Sequence, residues 1–184
     1  MAIFISAGHN SQSISIKTDP GAINEFGIKE GDLTIEFRDL VAKELSGKNI
    51  PFKMDSDEES LQMYLNRIQT GSGSVVIEYH FDAGPEEAEG STSIVEEDAD
   101  SVDKLFAKEL LLSASNIMGT KSRGVKSERF TRHGKLALMR EDGIICLFEI
   151  CFITNEKDIM KYHARKHELA KIHAEIIARY ESLI

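Results

Sequence analysis

Three side chains that can do chemistry lie in, or at the ends of, apolar stretches. The run 144–152 is apolar except for Glu149, which is typical of a buried strand carrying one carboxylate. Such a carboxylate is costly to bury unless a cation or a hydrogen-bond donor compensates it. His9 and His80 each stand at the end of another apolar run. Together the three residues suggest a metal site, with Glu149 as the base that acts on a metal-bound water.

The third protein ligand of such a site is open from position alone. A catalytic zinc typically takes about three nitrogen or oxygen ligands from the protein and leaves one place for water. His9 and His80 would supply two of them. Glu30 precedes the first predicted helix, and Glu25 and Glu36 are alternatives nearby. The ligands are dispersed, and a histidine at a strand end is more often structural, so spacing alone is a weak signal.

Strand and helix signals alternate along the chain. Apolar runs predict strands near 2–6, 50–54, 75–80, 92–95, 136–140 and 144–152, whereas helical periodicity and capping residues predict helices near 32–47, 56–71, 101–118 and from 155 almost to the end. The last helix is expected to break near His163, and 119–135 is expected to be a loop. This alternation predicts a single α/β domain with a twisted, mostly parallel sheet of about six strands and helices on both faces.

The predicted fold would bring the two histidines together. In open α/β sheets, sites form beyond the carboxyl ends of the strands. His9 follows the first predicted strand, and His80 closes the strand 75–80. Both side chains are therefore expected on one rim of the sheet, as a shared metal would require.

Composition excludes several other functions. The formal net charge is -9, which disfavours nucleic acid as a partner because phosphate binding needs clustered Lys and Arg. No apolar segment approaches the roughly 20 residues of a membrane span, so no membrane insertion is expected. The first residues lack the features of a signal peptide, which predicts cytoplasmic synthesis. Cys146 and Cys151 would lie on opposite faces of one strand, too far apart for a disulfide.

Several further charged residues have a structural and a functional interpretation. Arg140, at the end of a predicted strand, could orient a substrate or pair with Glu149, although a surface arginine is an equal alternative. The basic stretch 121–133 could attract substrate carboxylates, and the acidic stretch 86–103 is more simply a solvated loop and helix start. His163 and His167 lie four apart on a helix, but their polar neighbours predict a solvent-exposed face, and His173 is expected to be similar.

The order of the motifs resembles the zinc-dependent N-acetylmuramoyl-L-alanine amidases of the Amidase_3 type. The motifs that carry the resemblance are Gly8-His9 after a strand, Asp19-Pro20-Gly21-Ala22, Gly27-Ile28-Lys29-Glu30, the strand end Tyr79-His80, Arg123-Gly124-Val125-Lys126, Leu138-Met139-Arg140, and Phe148-Glu149 running into Thr154-Asn155. No single motif is specific, but together they span the chain in the order of the family. Asn10-Ser11 and Phe81-Asp82 depart from the family pattern without removing a ligand.

The resemblance implies specific roles. One Zn²⁺ would be held by His9, Glu30 and His80, with Glu149 as the catalytic carboxylate; the Gly-x-x-Glu match is what favours Glu30 over Glu25 and Glu36. The substrate would be peptidoglycan, cut at the amide between N-acetylmuramic acid and the L-alanine of the stem peptide. Residues 1–184 would form one catalytic domain with no separate wall-binding module.

Two other functions remain open at this point. A zinc carboxypeptidase or deacylase acting on small peptides would use the same ligands. A non-catalytic binding protein of the same fold is the other alternative, against which the presence of all four site residues argues. The arrangement fits a phage or prophage endolysin that is made in the cytoplasm and acts on the cell wall after release, and nothing in the sequence indicates an oligomeric state.

Overall fold

The computed structural model describes residues 2–183, and these form six strands, four α-helices and two 3₁₀ turns. In chain order the elements are β1 Ala2–Ala7, α1 Glu30–Gly47, β2 Phe52–Met54, α2 Leu61–Arg67, β3 Ser74–Asp82, β4 Ser91–Val95, α3 Ser101–Met118, β5 Ser122–Ser127, the 3₁₀ turns Glu128–Phe130 and Ala137–Arg140, β6 Ile144–Phe152, and α4 Glu156–Glu181. Within the described residues, no helix is long and apolar enough to span a bilayer.

The strands form one mixed sheet in the order β2-β1-β3-β6-β4-β5. The four adjacent strands β2, β1, β3 and β6 are parallel to one another. Strand β4 runs antiparallel to β6, and β5 is parallel to β4. The predicted α/β class, with a mostly parallel sheet of about six strands, is confirmed. Parallel pairing places the carboxyl ends of β1, β3 and β6 along one edge, where the predicted site residues lie.

The two faces of the sheet are covered unequally. Alternate residues of a strand point to opposite faces, so Ile3 and Ile5 join the larger core under α1, α3 and α4, while Phe4 joins a smaller cluster. That smaller cluster packs against α2 and the turn Ala137–Arg140. Helical elements therefore lie on both faces, as predicted, but the second face is only thinly covered.

The pleat also decides which face carries the chemistry. Val76 of β3 and Leu147 of β6 belong to the smaller cluster. Two residues further along each strand, the same face continues to Glu78 and Glu149. The polar residues of the site thus emerge on the thinly covered face, where space remains for a ligand.

Two local predictions about the second half of the chain are wrong. The predicted strand 136–140 is instead a 3₁₀ turn at Ala137–Arg140, whose consecutive residues Leu138 and Met139 are both buried in the smaller cluster. The predicted loop 119–135 contains the edge strand β5, which pairs with β4. Its sequence, Ser-Arg-Gly-Val-Lys-Ser, has no apolar alternation that would indicate a strand.

The C-terminal helix also differs from its prediction. Asn155 caps α4 by accepting a hydrogen bond from the backbone N–H of Asp158, as expected, but the helix continues unbroken past His163. His163 and His167 are exposed, as predicted. Both cysteines are free and buried, in agreement with their spacing.

The sequence predicts His173 on the exposed face of this helix, but the residue is fully buried. Its ring packs against Phe37, Tyr79 and Phe148. Its Nδ1 lies 3.3 Å from the Tyr79 hydroxyl. The prediction overlooked the helical spacing, because Leu169, Ala170, Ile176 and Ile177 lie three or four residues from His173 and form the buried face of α4 with it. Burial lowers the pKa of His173 to about 3.

This buried histidine should make stability depend on pH in one direction. Below the ordinary pKa of 6.5 the unfolded chain takes up a proton at His173, whereas the folded chain does not until about pH 3. The free energy of unfolding should therefore fall by up to about 1.4 kcal/mol for each pH unit below 6.5. In denaturant unfolding between pH 7 and pH 4, the variant His173→Phe should lose this contribution to the slope.

The matched control for that series is His167→Gln, which changes an exposed histidine of the same helix. It should keep the wild-type slope. Equal slopes for His173→Phe and the wild type would show that position 173 does not control this dependence.

Candidate metal and catalytic site

The structure brings His9, Glu30 and His80 together at the carboxyl edge of the sheet. One potential ligand atom from each lies within 4.8 Å of the other two. His9 follows β1, Glu30 is the first residue of α1, and His80 lies near the end of β3. Glu149 of β6 is the register partner of His80 on the neighbouring strand. All four predicted site residues are therefore adjacent.

The other two candidates for the third ligand lie elsewhere. Glu25 lines a separate surface depression beside Phe26 and Met160. Glu36 forms an ion pair with Lys166 and accepts a hydrogen bond from the Tyr162 hydroxyl. The geometry therefore leaves Glu30 as the carboxylate that shares a site with the two histidines.

A strained turn directs His9 into the site. His9 has a φ of 74°, in the left-handed region that non-glycine residues seldom adopt. The turn is held on both sides, because Gly8 donates from its N–H to the Tyr79 carbonyl at 2.8 Å and its carbonyl accepts from Thr34 Oγ1 at 2.6 Å. A Cβ at Gly8 would lie 2.2 Å from Cε1 of His80, so only glycine allows the imidazole to pack this closely.

The Asp-Pro-Gly-Ala turn contributes three separate contacts. Asp19 Oδ2 lies 3.0 Å from His9 Nδ1 and orients that ring. Gly21 has a φ of 64°, and a Cβ there would lie 2.5 Å from Glu30 Oε2. The backbone N–H of Ala22 donates to Glu30 Oε2 at 2.9 Å. The turn thus positions both the ring of His9 and the carboxylate of Glu30.

Glu30 is the centre of the cluster. Its side chain is almost fully buried, and its Oε1 accepts from the backbone N–H of Phe81 at 3.1 Å. His80 Nδ1 lies 2.9 Å from the same oxygen, and His9 Nε2 lies 3.3 Å from Oε2. Burial alone would raise the pKa of Glu30, but the hydrogen bonds from His80 and His9 outweigh it and hold the pKa well below its ordinary value.

The histidines show the reciprocal effect. Burial lowers the pKa of His80, but hydrogen bonds with Glu30 and Glu78 outweigh it and raise the pKa well above its ordinary value. His9 responds in the same direction, since its hydrogen bond with Glu30 also outweighs burial. The pocket around Glu30 therefore favours positive charge.

Glu149 has a different environment from Glu30. Its Oε2 is buried, and among the described residues it has no hydrogen-bond partner. The hydroxyl oxygen of Thr92, its register partner on β4, is likewise without one. Burial raises the pKa of Glu149 to about 8, although His80 partly opposes the rise. Such a carboxyl group can both accept and return a proton near neutral pH.

These four residues line one side of a cleft with a volume of about 470 Å³. β5 and the segment after it also line this cleft and form its basic wall, with the basic side chains Lys126, Arg132 and His133. Lys126 is half-buried, and Arg132 and His133 are exposed. The predicted basic stretch therefore borders the same cleft as Glu149.

Arg140 does not pair with Glu149, so that part of its prediction is wrong. It forms ion pairs with Glu96 and with the buried Glu128. Glu128 Oε2 in turn accepts from the backbone N–H of Leu136 at 2.6 Å. Arg140 therefore braces the segment that forms the basic wall. A direct role in orienting substrate stays a prediction.

Two further acidic residues contact the histidines and were not singled out from the sequence. Asp19 was recognised only as part of a turn. Glu78 lies 3.1 Å from His80 Nε2 and is 4% exposed. A signal for Glu78 was present, because it interrupts the apolar run 75–79 just as Glu149 interrupts 144–152.

The donor set suits a divalent metal. Two imidazole nitrogens and one carboxylate oxygen are the ligands of many catalytic zinc sites. Each histidine also contacts an outer carboxylate through its second ring nitrogen, which is usual around bound metals. The buried, unpaired oxygen of Glu149 lies beside this group. His9, Glu30 and His80 could therefore bind a metal ion.

Comparisons with known proteins agree with this arrangement. The N-acetylmuramoyl-L-alanine amidase family model, Amidase_3, matches residues 3–179. No curated protein sequence matches the chain significantly.

Solved structures of similar fold include a Neisseria meningitidis protein described as an N-acetylmuramoyl-L-alanine amidase. It is 27% identical with a TM-score of 0.75, and the alignment covers 97% of this chain and 94% of that one. The catalytic domain of the CD27L endolysin, which targets Clostridia difficile, has a TM-score of 0.74 at 17% identity, with 97% of each chain covered.

The amidase Ami1 from Mycobacterium smegmatis shares the fold as well. Its TM-score is 0.73 at 17% identity, with 100% of this chain and 98% of that one covered. With the family match over nearly the whole described chain and the His-Glu-His group at the sheet edge, the chain belongs to the Amidase_3 family of N-acetylmuramoyl-L-alanine amidases, hydrolases that act on peptidoglycan.

Proposed function

We propose that this amidase works with one zinc ion held by His9, Glu30 and His80, and with Glu149 as its catalytic carboxylate. The bond cut is the amide between N-acetylmuramic acid and L-alanine of the stem peptide. One observation supports the proposal. The donor atoms of His9, Glu30 and His80 lie within 4.8 Å of one another, and the buried Oε2 of Glu149 beside them has no hydrogen-bond partner among residues 2–183.

When bound, the ion would lower the pKa of its water ligand and place positive charge near the developing oxyanion. The residues of this chain do the proton transfer. Glu149 accepts a proton at its carboxylate as the water oxygen bonds to the carbonyl carbon. It then gives that proton to the amide nitrogen as the carbon–nitrogen bond breaks. The products are a free lactyl carboxylate and a peptide with a new alanine amino group.

The surroundings of Glu149 support its assignment to both proton steps. It lines the cleft, in register with His80 on the neighbouring strand. Thr92 is next to it on the other side and offers a hydroxyl to the same space. The basic wall of the same cleft would attract the acidic groups of the stem peptide.

Two alternative functions can be compared with this proposal. A zinc carboxypeptidase or deacylase for small peptides would need the same ligands and base. The family match over residues 3–179 favours the cell wall as substrate. A non-catalytic binding protein would not need Glu149 to lie unpaired beside the ligand group.

We also propose that the protein is made in the cytoplasm and reaches the wall after release, as a phage or prophage lysin does. The similarity of fold to the catalytic domain of the CD27L endolysin supports this role. The domain itself contains the complete proposed set of ligands and base.

The first test is digestion of isolated cell walls by purified protein, with and without a metal chelator. New alanine amino termini should appear, no new reducing sugar should form, and activity should disappear with chelator and return when zinc is added. Small free peptides serve as the comparison substrate. Release from peptides but from no wall preparation would favour the small-peptide hydrolase over the amidase.

The variant Glu149→Gln tests the catalytic carboxylate. It keeps the size of the side chain and removes the proton acceptor, so zinc content should stay at one per chain while turnover falls by about 10²-fold or more. Zinc is measured in the purified protein by elemental analysis, and turnover by alanine release. Near-normal activity with full zinc content would exclude Glu149 from this role.

Release from the cytoplasm can be tested in bacterial cells that express the chain. Growth should continue until the membrane is permeabilised, and rapid lysis should follow because only then does the protein reach the wall. Turbidity records the outcome, and cells expressing Glu149→Gln are the control. Lysis before permeabilisation would argue for a different route to the wall.

A further inference from the structure

Glu78 is a buried carboxylate with no part in the chemistry described so far. It lies on β3 two residues before His80, on the same face of the strand, and is 4% exposed. Burying a charge is unfavourable unless it is paired. Among residues 2–183, His80 is the basic side chain found within ion-pair distance of it. Its location therefore ties it to a proposed metal ligand.

Both oxygens of Glu78 are engaged. Oε1 lies 3.1 Å from Nε2 of His80, and Oε2 accepts a hydrogen bond from Ser6 Oγ at 3.3 Å. The other ring nitrogen of His80, Nδ1, lies 2.9 Å from Glu30. The imidazole is thus held between an outer carboxylate and an inner one.

The imidazole of His80 is packed in place, so the motion that matters is a half-turn of the ring about its bond to Cβ. The backbone of Gly8 lies against one side of the imidazole, so closely that an added Cβ would meet Cε1 at 2.2 Å. A half-turn of the ring would replace Nδ1 by a carbon facing Glu30, and Nε2 by a carbon facing Glu78. Packing against a planar ring does not distinguish these two orientations, but the hydrogen bonds to Glu30 and Glu78 do. Because Nδ1 would bind the metal, Glu78 is the partner that remains to fix the orientation through Nε2.

We propose that Glu78 is a positioning residue, which holds the proton of His80 on Nε2 and thereby presents the lone pair of Nδ1 to the metal. This inference rests on the proposed zinc site. Histidine ligands depend on such outer partners for their tautomer and orientation, and removing the partner typically weakens metal binding by about 10–100-fold.

Asp19 has the same relation to His9, but its environment differs. Its side chain is 67% exposed, whereas the side chain of Glu78 is 5% exposed. A hydrogen bond to an exposed carboxylate competes with water and is screened, so it constrains the ring less. We therefore expect the geometry of the site to depend more on Glu78 than on Asp19.

The experiment measures zinc affinity directly, in metal-free protein titrated against a chromophoric chelator. Glu78→Ala should raise the zinc dissociation constant by about 10–100-fold. Glu78→Gln should raise it less, because the amide oxygen can still accept the Nε2 proton. The matched control is Glu59→Gln, which removes a negative charge from the same side of the site but pairs with Arg67 and not with a histidine. Its dissociation constant should stay within about twofold of wild type.

The measurements separate the inference from the function on which it rests. The thermal midpoint of each metal-free variant is recorded too, since a merely structural role would lower it and leave the zinc affinity of the folded fraction unchanged. If the wild type binds zinc and both Glu78 variants bind it equally tightly, the positioning role is wrong and the zinc site stands. If the wild type takes up no zinc, both are wrong. Should Glu78→Ala fail to fold, Glu78→Gln decides.

Discussion

The buried carboxylate of Glu30 is the interaction on which the site depends. A lone anion in this position would be strongly unfavourable, so the surrounding chain must supply donors. It does so from two backbone N–H groups, those of Ala22 and Phe81, and from both histidines. Glu30 also lies in the first turn of α1, where the helix dipole favours negative charge. Three separate segments, namely the turn at His9, the turn at Ala22 and the end of β3, are thereby tied to one side chain of α1.

The sheet places these segments within reach of each other. Parallel pairing aligns the carboxyl ends of β1, β3 and β6, and the pleat directs Glu78, His80 and Glu149 to one face. That face lacks the long helices that bury the other side. The uneven covering is what allows polar side chains to line a cleft without disrupting the main core, so fold and site have compatible requirements.

Charge is arranged around the site in layers. Glu30 lies innermost between the histidines, Glu78 and Asp19 contact the outer nitrogens of those rings, and Glu149 stands beside them without a partner among the described residues. Three of these carboxylates are satisfied and one is not. Polar groups left unpaired in a well-paired structure often mark the place where substrate or water reacts. Here that group is the predicted base.

The sequence by itself determined the α/β class and the boundaries of α3, because periodicity and capping are properties of short segments. It also predicted His9, His80 and Glu149 as site residues from their places at the ends of, or within, apolar runs. The choice of Glu30 over Glu25 and Glu36 needed the resemblance to the family, and the tertiary structure shows the contacts that agree with it. Predictions from short segments were wrong for side chains whose contacts come from distant parts of the chain.

Burial and pairing were decided only by the tertiary structure. Arg140 pairs with Glu96 and Glu128, and His173 is buried among aromatic side chains of α1, β3 and β6. The contact between Glu78 and His80 depends on strand geometry and on Gly8 packing from a neighbouring strand end. A side chain's partners are set by segments far away in sequence, and these meet only when the sheet has formed.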